Sequence, residues 1–234
     1  MVIDGKKALV FGGTSGIGLA TCNQLVDLGA EVIAISRQPD KAGDVGGKIS
    51  VEACDVVDEA AVKALCEKHG PYDILVSAAT GGSRAIGPFS DMDMAGYRGS
   101  FDKLWGYANV VRHGVHHLGE TGAIVLVSGS PARRCGPGQV ALSSVGGAVE
   151  ALVRAVAKEI GPRRINVMSP GLIDTPMVPL KGEERAAHYQ RLTGNNLIPR
   201  AGTADECAQG IVFLLQNDFV TGTTLDVDGG ILLS

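Results

Sequence analysis

The chain has 234 residues, a length at which α/β folds are routinely single domains with one sizeable core. Hydrophobic residues make up 45% and charged residues 20%, which is the balance of a soluble globular protein. The formal net charge is −4 and no run of Lys or Arg forms a basic stripe. This charge pattern argues against nucleic acid and anionic membranes as partners.

Targeting and metal signals are weak in this sequence. The start MVIDGKKALVFGG has no basic leader before a long apolar run, and no apolar segment approaches the ~20 residues of a membrane span. The five cysteines are scattered and odd in number, which favours reduced, mostly buried thiols. His113 and His117 have helical i,i+4 spacing but no acidic or Cys ligand beside them. We therefore expect a cytoplasmic protein without a metal site and without a membrane partner.

Short apolar, β-branched runs alternate with helical stretches along the chain. Seven strands are predicted, at Ala8–Phe11, Val32–Ser36, Ile49–Cys54, Ile74–Ser77, Ile124–Val127, Ile165–Met168 and Leu225–Val227. Helices are predicted over Asp58–Lys68, along an apolar stripe of Leu104, Val111, Val115 and Leu118, over Val145–Ile160 and over Asp205–Gln216. Strands separated by helices require βαβ crossovers, so the pattern predicts a parallel sheet with helices on both faces.

No linker, low-complexity tract or repeat divides the chain, so residues 1–234 are predicted to form a single domain. The segment Thr175–Thr203 (residues 175–203) is the irregular part, rich in Pro and charge. We interpret it as a mobile flap over a substrate site, because long irregular segments in compact domains usually carry function.

A glycine-rich segment follows the first predicted strand. In ALVFGGTSGIGLATCNQL, Gly12, Gly16 and Gly18 lie between that strand and a helix start. Glycines permit a tight turn and close backbone approach, and a helix N-terminus aims N–H groups at a pyrophosphate. A glycine turn without a ligand is the alternative, and the strand–turn–helix setting at the start of the chain argues against it.

The spacing G-x-x-x-G-x-G resembles the short-chain dehydrogenase/reductase family. Segments similar to other landmarks of that family follow in order, namely CDV at Cys54–Val56, DILVSAAT at Asp73–Thr80, GAIVLVSG at Gly122–Gly129, RRINVMSPGLIDTPM at Arg163–Met177 and FVTGTTLDVDGG at Phe219–Gly230. The resemblance implies an α/β, Rossmann-type doubly wound parallel sheet of about seven strands. It also implies a nicotinamide cofactor and a homodimer or homotetramer built on the Trp105-bearing helix and its neighbour.

The cofactor form is predicted from charge. NAD-preferring sites place an acidic residue near the end of the second strand, where this chain has Ser36 and Arg37. A hydroxyl and a guanidinium suit a 2′-phosphate, so we predict NADP(H); an Arg37 that merely solvates the strand end is the alternative. The cofactor-binding residues implied by the resemblance and by this argument are Gly12, Thr14, Ser15, Gly16, Ile17, Gly18, Ser36, Arg37, Asp55, Val56, Ala78, Ala79, Thr80, Pro170, Gly171, Ile173 and Thr175.

The catalytic groups that the resemblance implies are absent from their places. The family carries a Tyr-x-x-x-Lys pair on the helix after the fifth strand, together with a Ser and an Asn. Their positions fall on Leu142, Gly146, Gly129 and Lys103, in that order. A gap in the count does not restore the pair, because Gly129 to Leu152 contains neither Tyr nor Lys.

Three functions remain open at this point. The first is an NADP(H)-dependent oxidoreductase, interconverting a carbonyl and an alcohol on a small molecule with a non-standard active site. The second is a catalytically inactive NADP(H)-binding sensor or interaction partner, and the third a non-redox isomerase or lyase. The intact segment SPGLIDT, expected beside the nicotinamide, favours the first.

Lys103 is predicted to be the relocated cationic group. It lies at the edge of the apolar stripe, and we expect it to enter space left by Leu142 and Gly146. There it acts as acid or oxyanion partner, with Ser128 or Ser130 as the second donor to the substrate oxygen. A Lys103 that extends into solvent is the alternative.

Overall fold

The computed structural model describes residues 1–41, 48–80 and 84–234. Seven strands form one sheet: β1 Lys7–Phe11, β2 Glu31–Ser36, β3 Ile49–Ala53, β4 Tyr72–Ser77, β5 Leu118–Val127, β6 Arg164–Pro170 and β9 Thr224–Val227. A two-stranded sheet is formed by β7 Ile173–Asp174 and β8 Gly202–Thr203. The helices are α1 Gly16–Asp27, α2 Glu59–His69, α3 Met94–Ser100, α4 Asp102–Gly114, α5 Val140–Ile160, α6 Gly182–Thr193 and α7 Ala204–Gln216.

The large sheet is parallel throughout, with the strand order β3-β2-β1-β4-β5-β6-β9. The order reverses between β1 and β4, since β2 and β3 continue on one side of β1 and the later strands on the other. Ligands of open parallel sheets bind beyond the carboxyl ends of the strands at such a reversal. The predicted fold class and all seven predicted strands are confirmed.

The core has two layers, one on each face of the sheet. Along β1, Leu9 and Phe11 face the layer under α2, α4 and α5, whereas Ala8 and Val10 face the layer under α1 and α7. A strand covered on both faces buries every side chain, which explains the uninterrupted apolar runs in the sequence.

The helix with the predicted stripe is shorter than expected. The α4 helix ends at Gly114, Val115 belongs to a 3-10 turn and Leu118 is the first residue of β5, so the extension of the stripe was wrong. The Tyr72 hydroxyl donates to the Gly114 carbonyl at 2.8 Å, so the last carbonyl of α4 has a hydrogen-bond partner outside the helix. His117 likewise lies past the helix, and the described residues contain no group of three or more metal-ligating side chains.

The α5 helix corrects a second expectation. It spans 21 residues, and an 18-residue window within it has a mean hydropathy of 1.5, so by length and composition alone it is apolar enough to cross a membrane, contrary to the sequence prediction. In the fold it packs against β6, and Val149 and Val153 lie in the core. It begins at Val140, five residues before the predicted start.

The segment Thr175–Thr203 is not wholly irregular, because it contains α6. Arg185 on that helix donates to the carbonyls of Val178 and Leu180 and pairs with Asp174. Tyr189 on the same helix is buried. One arginine thus organises the loop that precedes α6.

Candidate functional site

Close packing of the backbone explains the glycines of the loop between β1 and α1. Gly12 has φ +78°, and a Cβ there would lie 2.7 Å from the backbone nitrogen of Ala79. A Cβ at Gly18 would lie 2.0 Å from the Gly12 carbonyl oxygen. Gly16 has φ +51°, and its Cβ would lie 3.5 Å from the Thr175 side chain. The loop is therefore packed against β4 on one side and faces the segment after β6 on the other.

The start of α1 has the features of an anion site. Ser15, the N-cap, is extended with φ −157° and makes no side-chain cap, and the first helical bond runs from the Leu19 N–H to the Ser15 carbonyl. The earlier N–H groups of a helix have no intrahelical acceptor and carry its positive dipole end. Thr14 and Ile17 flank this turn and are half-buried. A phosphate group fits such a helix start without further charges.

The residues predicted for the adenosine end lie where β2 and β3 end. Ser36 accepts from the Gln38 N–H at 3.3 Å, and Arg37 is exposed. Asp55 accepts from the Val57 N–H at 3.2 Å. The neighbouring Val56 is buried, with its side chain against Gly106, where a Cβ would come within 2.4 Å. Arg37 is thus a solvent-facing cation at the carboxyl end of β2.

The residues predicted for the nicotinamide end come from β4 and β6. The Ala78 N–H donates to the Phe11 carbonyl at 2.9 Å, and Ala79 and Thr80 that follow are half-buried. After β6, Pro170 and Gly171 pass the C-terminal segment so closely that a Cβ at Gly171 would lie 2.6 Å from the Asp228 carbonyl. Ile173 pairs with Gly202 in the small sheet, which places Thr175 opposite the glycine loop. The predicted cofactor residues therefore line the carboxyl edge of the sheet.

Lys103 points inward at the end of β5. Its Nζ donates to the Ser128 carbonyl at 3.1 Å and lies 5.6 Å from the centre of the Tyr107 ring. Burial lowers the pKa of Lys103 to about 7, and the positive charge of Arg84 adds to the effect. The ammonium is thus held beside the sheet edge with a pKa near neutrality.

The two candidate serines differ in what their hydroxyls do. Ser128 is buried and donates to a carboxylate oxygen of Glu150 at 3.2 Å. Ser130 is also buried, at the start of the turn Ser130–Ala132, and its hydroxyl bonds to nothing in the described part of the chain. Of the two, Ser130 has the hydroxyl that is free to donate to a substrate oxygen.

A network that we did not predict lies behind Ser128. Glu150 on α5 is buried and lies 3.3 Å from Nε of Arg133, which is paired in turn with Asp226 on β9. The Arg133–Asp226 ion pair thus connects the turn between β5 and α5 to β9. Glu150 is the first charged residue of α5, after ten residues of aliphatics, glycines and serines, and this placement was the available sequence signal.

The predicted space at Gly146 is absent. A Cβ at Gly146 would lie 2.9 Å from the Cβ of Ala132, so α5 packs directly on the turn Ser130–Ala132. Our expectation that Gly146 leaves space for the Lys103 side chain was therefore wrong. Lys103 instead approaches the end of β5 from the α4 side.

Comparisons with known proteins agree with this geometry. A family model described as enoyl-(acyl carrier protein) reductase matches residues 12–232. The mitochondrial (−)-isopiperitenol/(−)-carveol dehydrogenase of Mentha piperita is 31% identical over 97% of this chain and 93% of its own. The (+)-cis,cis-nepetalactol synthase NEPS3 of Nepeta racemosa is 31% identical over 98% of this chain and 93% of its own.

Among solved structures, the chain is again similar to a dehydrogenase. A small-chain dehydrogenase in complex with NADPH has a TM-score of 0.83 and 30% identity, with 99% of this chain and 100% of that chain covered. The chain belongs to the short-chain dehydrogenase/reductase family, an oxidoreductase family with a dinucleotide-binding sheet. The resemblance drawn from the glycine spacing and the ordered segments is thereby confirmed.

Proposed function

We propose that this protein is an NADP(H)-dependent oxidoreductase that interconverts a carbonyl and an alcohol on a small molecule. The observation that carries the proposal is the Lys103 ammonium, held at the carboxyl end of β5 beside the predicted cofactor cleft. The family membership supports the reaction class, and a related structure holds NADPH. Bound in this cleft, the nicotinamide supplies the hydride.

The chain's own residues hold the cofactor by backbone and by charge. The N–H groups at the start of α1 bind the pyrophosphate, and Gly12 and Gly18 let the loop form. Arg37, an exposed guanidinium, binds the 2′-phosphate. The segment from Pro170 to Thr175 covers the nicotinamide end.

We further propose that the active site is atypical, with Lys103 in place of the family's Tyr-x-x-x-Lys pair. In reduction, the Lys103 ammonium donates a proton to the developing alkoxide, and Ser130 donates a second hydrogen bond. A pKa of about 7 suits this step, because about half of the amine is protonated at pH 7 and the ammonium is a stronger acid than an ordinary lysine. Glu150 positions Ser128, whose carbonyl in turn holds Nζ of Lys103.

The direct test is cofactor turnover. With NADPH and a carbonyl substrate, we expect absorbance at the reduced-nicotinamide band to fall steadily and stoichiometrically with alcohol formation. Tight NADPH binding without any turnover over a broad carbonyl panel would instead support a sensor or interaction partner.

A second candidate is a non-redox isomerase or lyase. It is favoured by the similarity to a relative named as a synthase and by the lack of Tyr and Lys between Gly129 and Leu152. Product formation at constant cofactor absorbance would select this function over the first.

The proposal includes a homodimer or homotetramer in the cytoplasm, without nucleic-acid or membrane partners. Trp105 supports self-association, because this large apolar side chain on α4 is 57% exposed. All five cysteines are free thiols, which is typical of a reducing compartment. Light scattering of the purified protein tests the oligomer, and Trp105→Ser should shift it towards the monomer.

A further inference from the structure

Arg185 on α6 engages the segment that runs from the end of β7 towards α6, residues 174–180. Its side chain is 22% exposed, and each nitrogen of the guanidinium donates to this segment. One side chain can serve several acceptors because the N–H groups of arginine form a planar fork. The acceptors are the carboxylate of Asp174, at 2.8 Å from Nε, the carbonyl of Thr175, at 2.8 Å from Nη2, and the carbonyls of Leu180, at 3.0 Å from Nη1, and of Val178.

The 174–180 segment itself is largely exposed. Met177 is 56% exposed, and both prolines of the segment face solvent. One backbone bond within it, from the Val178 N–H to the Thr175 carbonyl at 3.2 Å, closes a turn. Segments with few buried apolar contacts open at a low cost in free energy. The bonds from Arg185 are therefore decisive for how firmly this segment is held.

Thr175 brings the 174–180 segment to the glycine loop. A Cβ at Gly16 would lie 3.5 Å from the Thr175 side chain, while the Thr175 carbonyl accepts from Arg185. Gly16 is the first residue of α1, where the N–H groups are proposed to bind the pyrophosphate. We therefore expect the segment to lie across the path by which a cofactor bound there leaves.

A substrate-binding role for Arg185 is the alternative, since Arg185 and the 174–180 segment together line a cleft of about 620 Å³. The bonds to the protein already use the donors of the guanidinium, and the carboxylate of Asp174 offsets its charge. A guanidinium in this state offers little to a substrate anion. Arg185 thus acts by holding backbone in place.

We propose that Arg185 is a positioning residue that holds the 174–180 segment over the glycine loop, so that the segment retains the nicotinamide half of the bound cofactor. This inference rests on the proposed function, because it takes the placement of NADP(H) from it. The adenosine half is placed at the ends of β2 and β3, on the other side of β1 from β6, and its binding should not depend on Arg185.

The test compares two ligands that differ in how far they reach. NADPH extends to the nicotinamide end, whereas adenosine 2′,5′-bisphosphate carries the 2′-phosphate but ends at the first phosphate of the pyrophosphate. In Arg185→Gln we expect calorimetry to show roughly tenfold weaker NADPH binding, and stopped-flow fluorescence to show a correspondingly faster release of NADPH. The affinity for adenosine 2′,5′-bisphosphate should stay within about twofold of the parent value. A residue needed only for folding would not separate the two ligands.

Arg191→Gln is the matched control, because Arg191 is an exposed arginine on the same helix whose side chain contacts His188 at 3.5 Å. It should leave both affinities and the release rate unchanged. Arg185→Lys is the second variant, since it keeps a positive charge beside Asp174 but loses the planar fork. Its NADPH release should lie between that of the parent and that of Arg185→Gln, and it carries the comparison if Arg185→Gln does not fold.

Parental NADPH affinity and release in both Arg185 variants would overturn the inference. So would an equal loss of affinity for both ligands. A selective loss of NADPH affinity in a protein that turns over no carbonyl compound would support this inference and refute the proposed redox function instead. If the parent protein prefers NADH, the predicted NADP(H) preference fails, and the same comparison with NADH and AMP supports or overturns the role of Arg185.

Discussion

The two ends of the predicted cofactor cleft are built in different ways. At the phosphate end, the loop Gly12–Gly18 is suited to bind the cofactor through its backbone N–H groups. Gly18 lies so close to the Gly12 carbonyl that no Cβ fits between them. At the proposed catalytic end, from Ser128 to Gly146, the chemistry depends on side chains, and this stretch contains neither Tyr nor Lys. A backbone packed this closely leaves no room for a Cβ at Gly12 or Gly18, whereas a neighbouring helix can supply a side chain with the same function. Under the proposed function, this contrast explains how the fold and the cleft are kept while Lys103 supplies the acid from a different helix.

The largest expected effect concerns the phosphate end. Gly18→Ala places a Cβ 2.0 Å from the Gly12 carbonyl oxygen, so the loop must move. We expect NADPH binding to be lost in calorimetry and the free energy of unfolding to fall by about 1–3 kcal/mol. Gly147→Ala is the control, since nothing lies within 4 Å of its Cβ, and helix propensity should make it stabilising by about 1 kcal/mol. Unchanged NADPH affinity in Gly18→Ala would refute the assignment of this loop.

The next largest effect concerns the catalytic end. Lys103→Met keeps the side-chain length and removes the proton donor, so we expect turnover to fall by about 10²-fold or more. The dissociation constant for NADPH should stay within about twofold. Lys158→Met, at an exposed position on α5, should leave both quantities unchanged. Parental turnover in Lys103→Met would assign the proton donation to another group.

The pH dependence of kcat/KM and of stability tests the proposed role of Lys103. Reduction needs the protonated amine, so kcat/KM should be level below the folded pKa of about 7 and then fall by about tenfold per pH unit above it. The unfolded amine keeps its ordinary pKa of 10.5 and binds more protons than the folded one between these values. Stability relative to Lys103→Met should therefore rise from pH 7 towards pH 10. A rate profile without an inflection near pH 7 would contradict this assignment.

At the adenosine end a smaller effect is expected. Arg37→Ala removes one charge-assisted contact to the 2′-phosphate, which predicts roughly tenfold weaker NADPH binding and unchanged NADH binding. Fluorescence titration with both cofactors measures this. Arg112→Ala, an exposed arginine on α4, is the control. Equal affinity of the parent protein for NADPH and NADH would refute the predicted preference.

The smallest effect separates the two serines. Ser130→Ala should lower turnover by about fivefold, the equivalent of one hydrogen bond worth ~1 kcal/mol, and leave stability unchanged. Ser128→Ala should instead lower the free energy of unfolding by about 1 kcal/mol, because buried Glu150 loses a donor. The reverse pattern would make Ser128 the partner of the substrate oxygen.

The sequence by itself determined the sheet, the glycine loop and the family. Uninterrupted apolar runs such as Ala8–Phe11 identify strands covered on both faces, and the glycine spacing identifies the turn between strand and helix. Both signals are local, because they depend on backbone conformation and on burial within one element. The absence of Tyr and Lys from Gly129 to Leu152 was equally visible in the sequence.

Only the tertiary structure decided which side chains meet. The carbonyl of Gly114 at the end of α4 accepts from the hydroxyl of Tyr72 on a distant strand, and Ala132 fills the space at Gly146. The Ser128–Glu150–Arg133 network joins residues far apart in the chain. Contacts of this kind leave no periodicity in a sequence, because they are set by how helices pack on the sheet edge.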